Sequence, residues 1–427
     1  MPLPRLSSHS IIENILQGKS LEQIIQKLKP RLPKQHPLPA DLPRKLNWSK
    51  ESRKEHVDFF KKQNIALEYV SGHTPIEDPS IFQGNIENFI GLAQVPIGVA
   101  GPLRVNGIYA QGDFYVPLAT TEGTLVSSYN RGAKVISLSG GASTICLMER
   151  VSRAPGFAFH NLMESGQFVS WCVGEFETFQ KIAGQTTRHG RLIDMKTTME
   201  GNNVYLDFEY TTGDASGQNL VTIATQAVCQ YIGVQSPVKP RFWFVESNLS
   251  GDKKATASSY LFSRGKKVIA EVLIPGEIVT KFLHTTPDMM MEYWKMSFVG
   301  GVQSGSIGVH GHYANGLAAI FIACGQDAAC VSEASVGITR MDIVEKKDLY
   351  VSVSLPNLIV GTVGGGTGLP TQRECLRMIG CEGEGTAKKF AEICAATVLA
   401  GEISIMGALA AGQFTRAHMN LGRKKKP

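Results

Sequence analysis

Leu358-Ile-Val-Gly-Thr-Val-Gly-Gly-Gly-Thr-Gly368 follows a strand-like run and carries five glycines in eleven residues. Backbone without side chains can approach a pyrophosphate closely. The spacing is nevertheless not the G-x-G-x-x-G of a Rossmann turn, and no acid stands about 20 residues further on within a βαβ unit. A doubly wound dehydrogenase domain is therefore not what this run announces. Around it, strands (266–274, 349–354) alternate with long apolar helices (314–324, 387–411). Upstream, residues 155–245 alternate helix and strand patterns over 166–183, 188–198, 203–210, 217–233 and 239–245. That is the pattern of a compact α+β insert of about 90 residues. Before it, 94–103 and 109–118 read as strands. Residues 120–136 read as a helix, with Leu125, Val126, Tyr129, Ala133 and Ile136 at helical spacing.

The N-terminal 84 residues differ in texture. Two short helices are expected over 8–29, with Ser10/Glu13 and Ser20/Gln23 as capping boxes. A proline-rich linker runs from Pro30 to Pro43, and a further helix over 48–64. This piece is too small for its own core and is expected to pack on a neighbour.

The 427 residues, 43% hydrophobic and 19% charged, suffice for two or three domains and exclude a largely disordered chain. The net charge of +6 is local. Residues 1–84 hold 13 Lys and Arg against 9 Asp and Glu, and 416–427 hold five cations and no acid. Without a sustained basic stripe, a nucleic-acid surface is not indicated. The terminal Arg-Lys-Lys-Lys-Pro reads as a solvated tail. The eight cysteines show no Cys-x-x-Cys spacing, and several sit in apolar, helix-like patterns (Ile145-Cys-Leu-Met148 among them). Buried free thiols without a metal are expected. His310 and His312 lack a third ligand and read as structural. No signal-peptide h-region and no run of about 20 uninterrupted apolar residues is seen, so no membrane span and a cytoplasmic location are expected.

Five clusters could carry chemistry. Glu122, in Ala119-Thr-Thr-Glu-Gly123, falls at a helix start, where it serves equally as a first-turn acid; Ser128, Asn130, Arg131 and Lys134 follow as donors able to grip phosphates. Gly213-Asp-Ala-Ser-Gly-Gln-Asn219 leads into an apolar helix, either as an anion cradle or as a start capped by Asp214. Asp252-Lys-Lys254 sits in a loop between an aromatic strand and small residues. Asp327, in Gly325-Gln-Asp-Ala-Ala329, ends an apolar helix. A carboxylate there opposes the helix dipole and asks for a cationic partner such as a lysine. The glycine run is the fifth. His418, within Arg416-Ala-His-Met-Asn420, is idle on its own pattern.

Together, in order and spacing, these stretches resemble 3-hydroxy-3-methylglutaryl-coenzyme A (HMG-CoA) reductases from about Asn85 to His418. Glu87-Asn-Phe-Ile-Gly91 and Pro96-Ile-Gly-Val-Ala-Gly-Pro-Leu103 belong to the same set. The glycine run resembles the class I branch, many of whose members add a membrane anchor, so the chain looks like a class I catalytic portion. The resemblance implies an α/β (α+β) fold. A large HMG-CoA-binding domain (85–153 and 246–427) is interrupted by a small, ferredoxin-like NADP-binding domain (154–245), after a helical segment (1–84). It implies reduction of HMG-CoA to mevalonate with two NADPH. NAD-linked mevalonate oxidation on the same fold is the alternative, and a homodimer or dimer of dimers would share the active site across its interface.

By position, Glu122, Lys253, Asp327 and His418 match the family's catalytic set. Arg153, Asn248, Lys254 and Asn315 match its HMG contacts, and Ser128, Asn130 and Arg131 its coenzyme A contacts. Asp214, Asn219 and Val363-Gly-Gly365 match nicotinamide-cofactor contacts, with Thr187 and Arg188 at the 2′-phosphate. In such an arrangement Lys253 would stabilise the oxyanion, His418 would protonate the coenzyme A thiolate, and Glu122, its pKa raised by a nearby Asp327, would protonate mevaldehyde. The sequence departs from the family at Ser216 and Gln218, where methionines are usual, and at Glu246, where a small hydroxyl residue is usual. A substrate lysine has no clear match (Lys295 is nearest), and His284 stands where a coenzyme A lysine is usual.

Overall fold

The structure is a computed structural model that describes residues 5–43 and 49–413. The N-terminal helices are α1 (Arg5–Leu16), α2 (Leu21–Leu28) and α3 (Lys50–Lys61). Ser20 and Gln23 form the expected capping box of α2. Ser10 is not the N-cap of α1, because the helix already starts at Arg5 and Ser10 lies inside it. Strands β1 (Ile97–Gly107) and β2 (Gln111–Ala119) pair antiparallel ahead of α4 (Leu125–Leu138). Next come β3 (Ala142–Arg153), β4 (Gly156–Ala158), α5 (Leu162–Gly174), α6 (Phe176–Thr186), β5 (Arg191–Glu200), β6 (Asn203–Thr211), α7 (Gln218–Gln235) and β7 (Phe242–Phe244). The helix expected over 166–183 is therefore two helices, broken at Gly174-Glu175.

The chain then forms β8 (Gly265–Ile274), the short α8 (Gly276–Ile278) with a π-turn (Val279–Leu283), α9 (Pro287–Gln303), α10 (Tyr313–Ala323) and α11 (Val331–Ala334). It ends with β9 (Ile338–Val344), β10 (Asp348–Leu358), α12 (Pro370–Met378) and α13 (Ala387–Ala410).

Strand β3 is the spine. Its residues 142–144 run parallel to β1, 143–150 pair antiparallel with β8, and its last three, Val151–Arg153, pair with β6. The sheet path is β7-β4-β6-β3-β8-β10-β9. One strand thus serves both halves and delivers Arg153 at its end. The Ile145–Met148 pattern is strand, not helix: burial alternates along β3, so Cys146 faces the core. All eight cysteines are free and buried.

Helix α13 is 24 residues long and apolar enough, by length and composition, to cross a membrane. It is instead enclosed: nearly every position from Ala387 to Ala408 is buried against α4, β8 and β10. Its polar residues are satisfied inside the protein. Glu392, for example, accepts the amides of Tyr109, Ala110 and Cys146.

The N-terminal segment is fastened by buried charge. Arg104 reaches from β1 to the carbonyls of Arg31, His36 and Pro37 while paired with Asp113 at 2.7 Å. Glu374 of α12 accepts the amides of Glu68, Tyr69 and Val70 at 2.8–3.0 Å.

Candidate functional site

Helix α10 ends where Gly325 takes a left-handed conformation (φ 68°) and Gln326 N–H returns to the Phe321 carbonyl. This αL ending turns the chain sharply and leaves Asp327 two residues beyond. Lys253 Nζ meets Asp327 Oδ2 at 2.7 Å, the cationic partner the sequence demanded. Lys253 itself has φ 56°, and its backbone N–H is held by Glu333 Oε1 at 3.2 Å. The ammonium is not buried: both partners are 43% exposed, open to a ligand. The hydrogen bond that Lys253 donates to Asp327 raises the Lys253 pKa, against burial. Burial pushes Asp327 upward, but the Lys253 bond and the Ala329 amide outweigh it and hold the carboxyl below its ordinary value.

Behind the pair lies a buried ionic network. Arg264 bridges Glu333 (2.6 Å) and Asp252 (3.0 Å); Arg153 bridges Asp252 (3.1 Å) and Glu246 (3.0 Å). Gln218 joins it, accepting from Arg264 at 2.7 Å and Arg153 at 3.4 Å. Two of the departures, Glu246 and Gln218, are thus built into one network with both arginines. Asn248, also at positive φ (66°), donates its backbone N–H to Glu246, and Lys254 Nζ reaches the Asp252 carbonyl. Burial and the charges of Glu333 and Asp327 push the Cys330 thiol up to about 12, so it stays protonated beside the pair.

Asp327 also lines a cavity of about 550 Å³ walled by Ala215–Leu220 and by Gly361, Val363–Thr367 and Leu369. Ala215 and Val363 form a parallel bridge, and a Cβ on Gly361 would come within 2.4 Å of the Ser216 nitrogen. At Gly364 and Gly365 the opposite holds: both have positive φ, and the space a Cβ would fill is open. Asn219, Val363, Gly364 and Gly365 all line this groove. Asp214 does not. Its carboxylate accepts the amides of Gly385 (2.7 Å) and Ala387 (3.1 Å), so it holds the start of α13, while Gly217 is the N-cap of α7. Thr187 and Arg188 lie outside the groove on the 187–190 turn, which packs on it through Gly190 against Leu220.

Glu122 lies elsewhere. Thr124 adopts a left-handed conformation (φ 74°), so α4 starts at Leu125 and Glu122 sits in a turn ahead of it. Its carboxylate accepts from Asn315 Nδ2 at 3.1 and 3.4 Å. Within one chain, then, Glu122 meets Asn315 rather than Asp327, and the expected repulsion between the two carboxylates is not set up there. A second cavity, about 1150 Å³, opens between α3, the 38–43 and 67–71 stretches and α4, lined among others by Lys50, Arg53, His56, Asn130, Arg131 and Lys134. Asn130 also caps the Gly101 amide. Ser128 and Arg131 contact Ser404. His418 falls outside the described residues.

The family model described as hydroxymethylglutaryl-coenzyme A reductase matches residues 49–423, a span that holds the ion pair, the first cavity and all of the second except its 38–43 wall. This chain belongs to that family.

Among similar reductases, that of Pyrococcus abyssi is 45% identical over 85% of this chain and 90% of its own length. That of Methanocaldococcus jannaschii is 43% identical, over 87% and 92%. Reductase 2 of Gossypium hirsutum is 38% identical over 79% of this chain and 55% of its own. A class II reductase from Streptococcus pneumoniae, solved bound to NADPH in open conformations, shares the fold with TM-score 0.67 at 17% identity, over 85% of this chain and all of that one. Against these reductases, the Asp214 and Gln218 contacts are what sequence reading alone missed. Both are side chains spent on distant backbone or arginine partners.

Proposed function

We propose that the chain reduces HMG-CoA to mevalonate with NADPH, releasing coenzyme A. The observation that carries this is the Lys253–Asp327 pair at the edge of the glycine-lined groove. NADPH bound in that groove supplies the hydrides. The open main chain at Gly364 and Gly365 and the Asn219 side chain suit its phosphates and amide, and we read Thr187 and Arg188, on the turn whose Gly190 packs against Leu220, as its 2′-phosphate contacts. Lys253, kept protonated by Asp327, offers an N–H to the thioester oxygen as that atom gains charge. Lys254, more exposed than the doubly paired Arg153, meets the free carboxylate, with Asn248 alongside. The larger cavity's Arg131 and Lys134, with Asn130, suit a coenzyme A diphosphate, and Ser128 stands beside Arg131 on Ser404. His418 protonates the departing thiolate and Glu122 the mevaldehyde oxygen.

These parts serve one carbonyl only if two chains combine. Asn315 stands in the first turn of α10, and Asp327 lies beyond its far end; Asn315 to Ala323 alone spans about 12 Å at 1.5 Å per residue. The charges acting on Lys253 are those of Asp327, Cys330 and Asp252. Exposed Met296, Phe298, Val299 and Val302 on α9 offer the apolar surface for a partner. We therefore read the enzyme as a homodimer, or a dimer of dimers, in which one chain brings Glu122 and Asn315 to the other's Lys253 and Asp327. The domain division at 154 and 245, a class I-like character and a cytoplasmic setting with reduced thiols complete the reading.

The test follows NADPH absorbance on adding HMG-CoA, with thiol release in parallel and NADH as the comparison. Oxidation without thiol release, or turnover of mevalonate with NAD alone, would overturn it. Mixing Lys253→Ala with Glu122→Gln chains then tests the shared site. Random dimers regain about a quarter of the parent rate if each site draws on both subunits, and none if it does not.

A further inference from the structure

His312 is the N-cap residue of α10. Its Nδ1 lies 3.3 Å from Glu402 Oε1, on a side chain wholly enclosed within α13. That carboxylate also accepts the amides of Gly311 (2.7 Å) and His312 (2.8 Å) and the Thr339 hydroxyl (2.7 Å). Burial pushes Glu402 upward, yet His312 and the backbone donors hold it below the ordinary carboxylate range. An ionised Glu402 accepts only, so Nδ1 carries the hydrogen and Nε2 is the ring's acceptor nitrogen. Tyr129 of α4 stacks on the imidazole, centroids 5.5 Å apart at 20°, and Tyr129 also feels the charge of Glu122. Three residues along α10 is Asn315, the partner of Glu122. N-cap and N3 side chains share one side of a helix start. Three elements thus bring the His312 ring to the Glu122 end of the site.

We propose that His312, oriented by Glu402, is a positioning residue that returns a proton to Glu122 in each turnover. This rests on the reductase reading. When mevaldehyde is reduced, the Glu122 carboxyl O–H breaks and the alcohol O–H forms. The imidazolium Nε2–H then breaks and restores the Glu122 O–H, and the imidazole regains a proton from water. No electrons pass through the pair. The titratable groups that face His312 are Glu402 from α13 and Tyr129 from α4, with His310 beside it on its own stretch; Glu122, from the turn before α4, faces the Asn315 side chain. Tyr293 of α9 bears on Glu402.

The test compares the parent with His312→Asn, which keeps a donor for Glu402, and His312→Ala, over about pH 5 to 9, with HMG-CoA and with mevaldehyde, after melting curves have confirmed the fold. Both variants should lose at least about tenfold in kcat on either substrate, keep KM for HMG-CoA, and lose one ionisation from the kcat profile. Folded variants with the parent's kcat overturn the proposal. So does an equal loss at every pH with the profile intact, which is what a purely structural histidine would give. Imidazole 15N shifts in the parent read the tautomer independently of turnover: Nδ1–H is expected, and an Nε2–H tautomer overturns the geometry. A parent that does not reduce HMG-CoA, yet shows Nδ1–H, removes the reductase reading and with it the proton step, while the Glu402–His312 geometry stands.

Discussion

Lys253 Nζ and Asp327 Oδ2 lie 2.7 Å apart, one on a loop ahead of β8 and the other just past the end of α10, and neither is buried. A half-exposed pair adds little stability. Its effect is on protonation. Asp327's hydrogen bond raises the lysine pKa, so the ammonium is complete below the ordinary lysine value and is lost only as pH rises through the raised one. Asp327 is lowered, so its side of the pair is lost only as pH falls through its depressed value. Asp327→Asn should therefore move the alkaline limb of kcat to lower pH, and Lys253→Met should cost roughly 10²–10³ in kcat or more. Coincident alkaline limbs in parent and Asp327→Asn would disconnect the aspartate from the lysine.

Glu374 ties residues 68–70 to α12 through three backbone amides, and the same stretch walls the larger cavity with Leu67, Val70 and Ser71. Glu374→Ala leaves those amides without their acceptor. The expected cost is about 2–4 kcal/mol in urea unfolding, with KM for HMG-CoA rising well ahead of any fall in kcat. An unchanged KM in a destabilised variant would mean that the N-terminal segment does not shape the coenzyme A cavity.

Much of this was readable in the chain because it is local. Alternating strands and helices and the unsuitable position of Asp327 at a helix end both follow from short windows, and the latter led directly to a lysine. What was not readable depends on partners far away in sequence. Asp214 looked like the cap of the helix it precedes, yet it holds amides at 385 and 387. The Ile145–Met148 run looked helical because four apolar residues have no distinguishable period; its place between β1 and β8 settles it as strand. Glu122 was expected inside α4, and one left-handed residue, Thr124, keeps it out.

Gly361 and Ser216 are in close backbone contact where the two walls of the groove meet, with Thr362 and Val363 N–H both reaching the Asp214 carbonyl. A methyl group at 361 would sit 2.4 Å from the Ser216 nitrogen and push the walls apart. Gly361→Ala should raise KM for NADPH at least about tenfold, by shifting backbone donors that bind rather than react, and leave KM for HMG-CoA near the parent value. Steady-state kinetics with each substrate varied in turn decide it; equal KM values for NADPH would remove the groove from cofactor binding.

Asp207 on β6 is half-buried, and its enclosed Oδ1 has no partner among the described residues. Burial pushes it up to about 7; Lys196 and Arg264 pull it down, and Glu209 and Glu246 push it further up. A carboxyl that holds its proton more tightly when folded makes the folded state bind more protons than the unfolded chain, between the ordinary aspartate pKa and about 7. Stability from this group must therefore fall as pH rises through that window, opposite to the usual salt-bridged aspartate. Asp207→Asn removes the titration, so the gap between the variant and the parent should shift in the variant's favour by roughly 2–4 kcal/mol from about pH 4 to 8. Urea unfolding of both proteins at several pH values measures it, and the comparison of slopes is unaffected by whatever constant amount the amide itself adds or costs. Parallel curves across the window would mean that Asp207 is already ionised in the folded protein, held by Lys196 and Arg264 more strongly than burial opposes it.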